Sequence, residues 1–274
     1  MTKPEHPIIT LLTDFGVSDP YVGIMKGIIA DIAPNAKTID LTHLIPPQNI
    51  RAGALALDRA YQYFPAGTIH LAVIDPGGGV NRQAIAIRAG HYLFIGPDNG
   101  LFTFVIKRAK ENHKQLRTFK LENPHFRLEP VSPVFHGRDL YAPAAAYLAA
   151  GAALEDFGVE IDNPVVLNVP CPEQTRRGWS GEVWAVDHFG SLETNLEKSI
   201  LDGYDLKNIK VRVAGKTIVH CVSTFADGKP GQLVALINSA GRLSICIVNG
   251  NAANVLSAGI GTPVEVILTG AEIK

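Results

Sequence analysis

The chain has 274 residues, 46% of them hydrophobic and 19% charged, with a net charge of -1 at pH 7. That length buries one large core or two smaller ones, and two domains are expected, while the composition excludes a disordered chain. A near-neutral total without a strongly basic run excludes bulk attraction to nucleic acid or an anionic membrane, so the expected partner is a small molecule.

The stretch after His6 is too short for a secretory signal, and no segment approaches the roughly 18 apolar residues of a membrane span, so a cytoplasmic location is expected. Pro7 to Thr13 reads as a buried strand ending in a carboxylate, Asp14, followed by Phe15-Gly16. Ser18-Asp19-Pro20 is an N-cap signal with proline at the first helical position, and Val22, Met25, Ile29 and Ile32 recur at helical spacing through Tyr21 to Ala33. Asp19 is expected to cap that helix, with ligand contact as an additional role; Asp14 is a turn former or a ligand-binding acid. Ala36 to Thr42 reads as a second strand, Pro46-Pro47 as a turn, and Ile50 to Phe64 as a helix closed by Pro65-Ala66-Gly67.

The apolar run Ile69 to Ile74 stops abruptly at Asp75-Pro76-Gly77, with Gly78, Gly79, Val80, Asn81 and Arg82 behind it. This places Asp75 at the carboxyl end of a buried strand, where open α/β sheets put ligand-binding groups. The glycines permit a ligand to come close and are equally the composition of a plain loop; no lysine follows at P-loop spacing. Strands alternating with helices argue for a mainly parallel sheet with right-handed crossovers, from one edge of which both Asp14 and Asp75 emerge.

Ala84 to Arg88 and Tyr92 to Ile95 read as a hairpin turning at Ala89-Gly90. In Gly96-Pro97-Asp98-Asn99-Gly100, turn chemistry accounts for Asp98 and Asn99, with a ligand role the alternative. Leu101 to Lys110 is helical in period, and the basic stretch Lys107 to Lys120 reads as solvated surface. Phe135-His136-Gly137-Arg138-Asp139 stands before an alanine-rich helix, Leu140 to Ala150, at an N-terminus where partial positive charge collects. Asp139 is expected to cap it, whereas His136 is harder to place in a core.

Asp162 to Glu173, with Pro164, Pro170 and Pro172, reads as a linker. Beyond it, Gly181 to Val186, Ile209 to Val213, Thr217 to Val219, Leu233 to Ile237, Leu243 to Val248 and Val264 to Leu268 read as short strands. The expected class is α/β: an N-terminal, mainly parallel α/β sandwich domain over 1–165, then a smaller antiparallel β-barrel domain over 174–274. Cys171, Cys221 and Cys246 show neither close pairing nor zinc-finger spacing and are expected to be reduced, buried thiols.

Thr13-Asp14-Phe15-Gly16, Asp75-Pro76-Gly77, Gly96 to Leu101, Phe135 to Asp139 and Asp187-His188-Phe189-Gly190 resemble, in that order, the S-adenosyl-L-methionine hydroxide adenosyltransferases, relatives of the bacterial fluorinase and chlorinase. The resemblance runs from about Ile8 to Leu268. It implies hydrolysis of S-adenosyl-L-methionine to adenosine and L-methionine without a cofactor or metal, by a homotrimer whose ligand sits where one subunit's N-terminal domain meets its neighbour's C-terminal domain. The family's catalytic residues fall on Asp75, Arg82 and His136. By the same resemblance Asp14 binds the ribose hydroxyls, Asp19 and Tyr21 approach the methionine part, Asp187 its amine and Ser239 its carboxylate. Phe189 and Asn251-Ala252 meet the adenine.

Three positions depart from the family pattern: Gly78, Val80, and Ser191, where relatives commonly carry asparagine. Arg82, His136 and the short Ala89-Gly90 turn, which lacks the insertion of fluorinase-like members, favour water over halide as the nucleophile. Two other readings are open from the residues alone: a metal-dependent phosphoesterase using Asp14, Asp75, Asp98 and His136, and a non-catalytic binder of S-adenosylmethionine or adenosine.

Overall fold

The computed structural model describes residues 6–76, 83–202, 204 and 208–268. The chain divides into two compact units, Met1–Leu167 and Asn168–Lys274, within the proline-rich connector.

The first unit is a sheet with helices around it. Its strands are β1 (Ile8–Thr13), β2 (Lys37–Thr42), β3 (Ile69–Val73), β4 (Ala84–Ala89), β5 (Tyr92–Pro97) and β6 (Leu116–Lys120), in the order β2-β1-β3-β5-β4-β6. β2, β1, β3 and β5 are mutually parallel; β4 runs antiparallel to β5 and β6. Both faces are covered, which explains why β3 reads as a continuous apolar run. On one face Ile9, Leu11, Leu71 and Val73 pack with α1 (Tyr21–Ile32) and α4 (Ala142–Ala150). Toward the other, α2 (Ile50–Ala60) and α3 (Thr103–Glu111) are tied by a forked ion pair in which Arg108 Nε and Nη2 donate to the buried Asp58 carboxylate at 3.1 to 3.2 Å.

Three local expectations change. The predicted solvated stretch 107–120 ends in an edge strand, β6, because Thr118 and Phe119 turn inward while Arg117 reaches out to Glu155 and Glu160. Asp19 does not cap α1: Pro20 itself takes the cap position, at ψ 2° rather than in the helix, and no side chain among the described residues caps the end. Asp139 does not cap a helix either. Gly137–Tyr141 forms a π-turn leading into α4, and the buried Asp139 carboxylate instead accepts from Arg138 Nε at 2.6 Å and from Ser132 N at 2.7 Å. Burial alone pushes the Asp139 carboxyl up, but the hydrogen bonds from Arg138 and Ser132 outweigh it and leave it below its usual range.

The second unit is antiparallel and nearly closed. β7 (Glu173–Thr175), β8 (Gly178–Val186), β9 (Leu192–Glu197), β10 (Ile209–Val213), β11 (Lys216–Ile218), β12 (Leu233–Ile237), β13 (Arg242–Ile247) and β14 (Pro263–Leu268) follow the order β11-β10-β14-β8-β9-β13-β12, with β7 beside β8. The chain after β11 then meets β12: Val222 N donates to Ala235 O at 2.8 Å and Ala235 N to His220 O at 3.1 Å. Val183, Leu196, Val211, Ile245 and Val266 fill the interior. Of the cysteines, all free, Cys246 is buried and Cys221 half-buried. Cys171 is exposed, contrary to expectation, because it lies in the connector between Pro170 and Pro172 where no layer covers it.

A buried ion pair joins β9 to β13. Arg242 Nη1 lies 3.3 Å from Glu193 Oε1, the guanidinium sits 5.0 Å above the Trp184 ring, and Asn238 Nδ2 donates to Glu193 Oε2 at 2.8 Å. Removing one partner of such a pair strands the other charge in low dielectric, at a cost of about 3–5 kcal/mol. Glu193→Ala is therefore expected to destabilise this unit by about that amount. Both tryptophans, Trp179 and Trp184, lie here, so urea unfolding followed by tryptophan fluorescence reads the loss directly. A change under about 1 kcal/mol would mean that the pair behaves like an exposed one.

Candidate active site

β1 and β3 are adjacent and parallel, with Thr13 opposite Val73, so Asp14 and Asp75 leave the sheet at the same edge. Asp14 is held by the chain that follows β2: its Oδ2 accepts from Gln48 N at 2.7 Å. The turn behind it is fixed by a series of polar contacts. Phe15 N donates to Thr13 Oγ1 at 3.3 Å, Thr13 Oγ1 lies 2.9 Å from His43 Nδ1, and His43 Nε2 lies 3.1 Å from Asp40 Oδ1. Gly16 N also donates to His43 O at 2.8 Å. Burial alone raises the Asp40 carboxyl, but hydrogen bonds from Lys26 and His43 overcome it and hold the group below its usual range.

Asp75 and His136 line one cavity of about 530 Å³, together with Phe15, Tyr21, Phe135 and Arg138. That size suits a small-molecule ligand. Phe15, Tyr21 and Phe135 meet edge to face with centroids 5.1 to 6.1 Å apart, giving the cavity an aromatic side. His136 occupies the cap position of the π-turn, its ring 6.5 Å from that of Tyr141. π-turns recur at functional sites because the extra residue re-aims the side chains that follow. The cavity thus combines a carboxylate, an imidazole and an apolar wall, the materials for positioning a polar nucleophile beside an organic ligand.

Arg82 lies outside the described residues, as do Gly78 and Val80. Asp19 is exposed just before α1, while Tyr21 opens the helix and lines the cavity. Asp98 turns elsewhere: its Oδ1 accepts from Val165 N at 2.7 Å, and burial raises its pKa. Among the described residues, no three His, Cys, Asp or Glu side chains are grouped so as to hold a metal ion, and this includes Asp14, Asp75, Asp98 and His136, the set named for the alternative metal-dependent reading.

In the second unit, Asp187 Oδ1 accepts from Phe189 N at 3.0 Å and Ser191 N at 2.7 Å, shaping a turn that leaves the Phe189 ring 75% exposed. This turn sits against Asn251 and Ala252 at the start of α5 (Ala252–Leu256), where Ala253 N donates to Gly190 O at 2.9 Å. Ser239 lies in the β12–β13 turn, whose Gly241 O accepts from Lys198 N at 2.8 Å and whose Asn238 Nδ2 donates to Glu193 Oε2 at 2.8 Å. A depression of about 610 Å³ around the β10–β11 turn contains none of the predicted site residues.

The description SAM hydroxide adenosyltransferase N-terminal domain fits residues 9–158, and the matching C-terminal domain fits residues 181–265. The chain belongs to the SAM hydroxide adenosyltransferase family. It is 37% identical to an (R)-S-adenosyl-L-methionine hydrolase of Salinispora arenicola, over 95% of this chain and 97% of that one. Against a fluorinase of Nocardia brasiliensis the identity is 29%, over 97% and 99%. The crystal structure of an uncharacterized conserved protein from Thermotoga maritima superposes with a TM-score of 0.87 at 34% identity, over 94% of this chain and 99% of that one.

Of the SAM hydroxide adenosyltransferase match, the N-terminal part contains Asp14, Asp19, Tyr21, Asp75, Arg82 and His136; the C-terminal part contains Asp187, Phe189, Ser239, Asn251 and Ala252. Sequence reading gave no role to Phe15, Phe135 and Arg138, which line the cavity. The signal available for them was their place beside Asp14 and His136.

Proposed function

We propose that this protein hydrolyses S-adenosyl-L-methionine to adenosine and L-methionine. The observation that carries the reading is a carboxylate, Asp75, and an imidazole, His136, facing one cavity in a member of this family. Water oxygen bonds to the ribose C5′ as the C5′–S bond breaks. The bonding pair returns to sulfur, giving neutral methionine thioether, and the water's proton passes to the enzyme.

A sulfonium leaves readily, so the protein chiefly supplies an aligned nucleophile. Water has a pKa of about 15.7 and needs a base or a nearby positive charge at pH 7. Asp75 and His136 orient the water and take its proton; Arg82, always protonated, stabilises hydroxide-like charge on it. Asp14 accepts from the ribose hydroxyls, Asp19 and Tyr21 approach the methionine part, and Asp187 and Ser239 take its amine and carboxylate. Phe189 and Asn251-Ala252 meet the adenine. The working form is a cytoplasmic homotrimer that needs neither metal nor cofactor.

Water rather than halide is the nucleophile: β4 and β5 are joined through Gly90–His91 alone, so this turn has no added loop. The name of the Salinispora relative specifies the (R) form, and we extend that preference to this protein. The two sulfonium epimers differ in where the S-methyl points, while C5′ is the same carbon in both, so preference for one reports the shape of the pocket around the methyl.

The test is incubation of each epimer with excess EDTA in ¹⁸O-water, followed by chromatography and mass spectrometry. Many equivalents of adenosine carrying ¹⁸O at the 5′ oxygen, with equal methionine, are expected, faster from the (R) form. Activity abolished by EDTA and restored by metal supports the phosphoesterase-type site; intact ligand after long incubation supports a binder.

A further inference from the structure

The carbonyl preceding Asp75 is held from outside its own strand. β3 pairs with β5 as far as Leu71 opposite Ile95, and with β1 as far as Val73 opposite Thr13. The Ile74 peptide therefore lies past both ladders, and the residue is fully buried. A buried carbonyl at such a place needs a donor from elsewhere. It accepts from Asn99 Nδ2 at 2.8 Å.

Asn99 is fixed in its turn. Its Oδ1 accepts from Leu101 N at 3.2 Å, while the neighbouring Asp98 is anchored by its own N–H to Gln83 O at 2.8 Å and by its carboxylate to Val165 N at 2.7 Å. Ile74 is pressed from another side by α2: a Cβ on Gly53 would stand 2.0 Å from Ile74 Cδ1, so any larger residue there would require the end of the Ile74 side chain to move. With its side chain under the helix and its carbonyl on the Asn99 amide, Ile74 has little freedom, and the Asp75 backbone begins at the next bond.

We propose that Asn99 is a positioning residue for Asp75: by holding the Ile74 carbonyl it sets the direction in which the chain leaves β3, and so where the carboxylate stands in the cavity. The inference rests on the hydrolase reading of that cavity. Asparagine suits the task because one planar group donates to Ile74 and accepts from Leu101 at once. Aspartate in its place offers only lone pairs to a carbonyl until it is protonated, and alanine offers nothing. Placement is demanding because a shift of about 1 Å at a reacting group can cost about 10²-fold in rate.

The test compares the wild type with Asn99→Asp and Asn99→Ala. At pH 8 both variants are expected to lose about ten- to a hundredfold in kcat, with KM for S-adenosylmethionine within about twofold of wild type. As the pH is lowered, the Asn99→Asp carboxyl takes up a proton and can donate to Ile74 O, so its deficit narrows while that of Asn99→Ala does not. A merely structural role lowers the folded fraction of both without that recovery. Hydrogen exchange over residues 71–76 gives a readout independent of turnover, and faster exchange in Asn99→Asp is expected at pH 8. A near-isosteric variant that keeps wild-type kcat, loses only KM, or leaves exchange unchanged overturns the proposal. If the wild type itself forms no adenosine, the hydrolase reading fails, and the exchange comparison still decides whether Asn99 holds this segment.

Discussion

Asp75→Ala and His136→Ala are each expected to lower kcat for S-adenosylmethionine hydrolysis by about 10²- to 10⁴-fold, the contribution of a positioned acid or base. The dissociation constant for the substrate should move by no more than about threefold, because neither group is asked to hold the adenosyl skeleton. Both side chains face the same cavity, so they act on one nucleophile, and the double variant should be little worse than either single one. Asp14→Ala should behave in the opposite way. Its carboxylate, fixed by Gln48 N, is assigned to the ribose, so its loss should appear mainly as a weaker KM with most of kcat retained. Single-turnover rates and equilibrium binding, measured on all four variants, separate these outcomes. Losses confined to affinity for Asp75→Ala or His136→Ala would remove both from the proton-handling role.

The parts of the fold legible in the sequence were those in which one physical signal dominated. β1 and β3 announce themselves as apolar runs stopped by acids, and the Gly90 hairpin by its turn, because burial on both faces and tight reversal leave local marks. β9, Leu192–Glu197, carries no such mark. Glu193, Thr194 and Asn195 are all buried, each satisfied by a partner far along the chain, so the strand looks polar to any local reading. Asp139 misled for a related reason: an acid at the start of a helical run suggests a cap, and nothing in the neighbouring residues reveals that its partners are Arg138 and the amide of Ser132.

The same distinction runs through the site. Asp14, Asp75 and His136 were legible as candidates, since each ends a strand or interrupts an apolar pattern. What holds the two acids in place was not. Asp14 depends on the His43–Gln48 segment after β2, and the residue before Asp75 on Asn99 after β5. Both supports come from a strand adjacent in the sheet but distant in sequence, and only the strand order puts them there.

His70 carries the second large effect, an acid sensitivity of the first unit. It lies in the middle of β3 with its ring stacked on Phe94 at 5.1 Å and meeting Phe64 and Tyr61 edge-on at 5.6 and 6.1 Å. Nδ1 lies 2.8 Å from Thr10 Oγ1, while Nε2 is buried without a hydrogen-bond partner among the described residues. Charging this ring would place a cation among hydrocarbon, and burial accordingly pushes its pKa down from 6.5 to about 3. The unfolded chain takes up a proton at this histidine below about pH 6.5 whereas the folded one does not, so the folded state loses stability as the pH falls. The slope is about 1.4 kcal/mol per pH unit, giving about 3 kcal/mol between pH 6.5 and 4.5 and about 5 kcal/mol by pH 3. Asp40 and Asp139, whose carboxyls are held low, lose their stabilising charge only below about pH 4, and Asp98, whose carboxyl burial raises, acts in the opposite sense, so a loss of stability from pH 6.5 to 4.5 that the variant below lacks belongs to the histidine. His70→Gln keeps an amide to meet Thr10 and does not titrate. Urea unfolding of the first unit, followed by tyrosine near-ultraviolet dichroism, should therefore weaken with acid in the wild type and much less in the variant. Tryptophan fluorescence, confined to Trp179 and Trp184 of the second unit, serves as the internal control. Parallel loss of stability in the two proteins across that interval would show that the buried imidazole is not the group being charged.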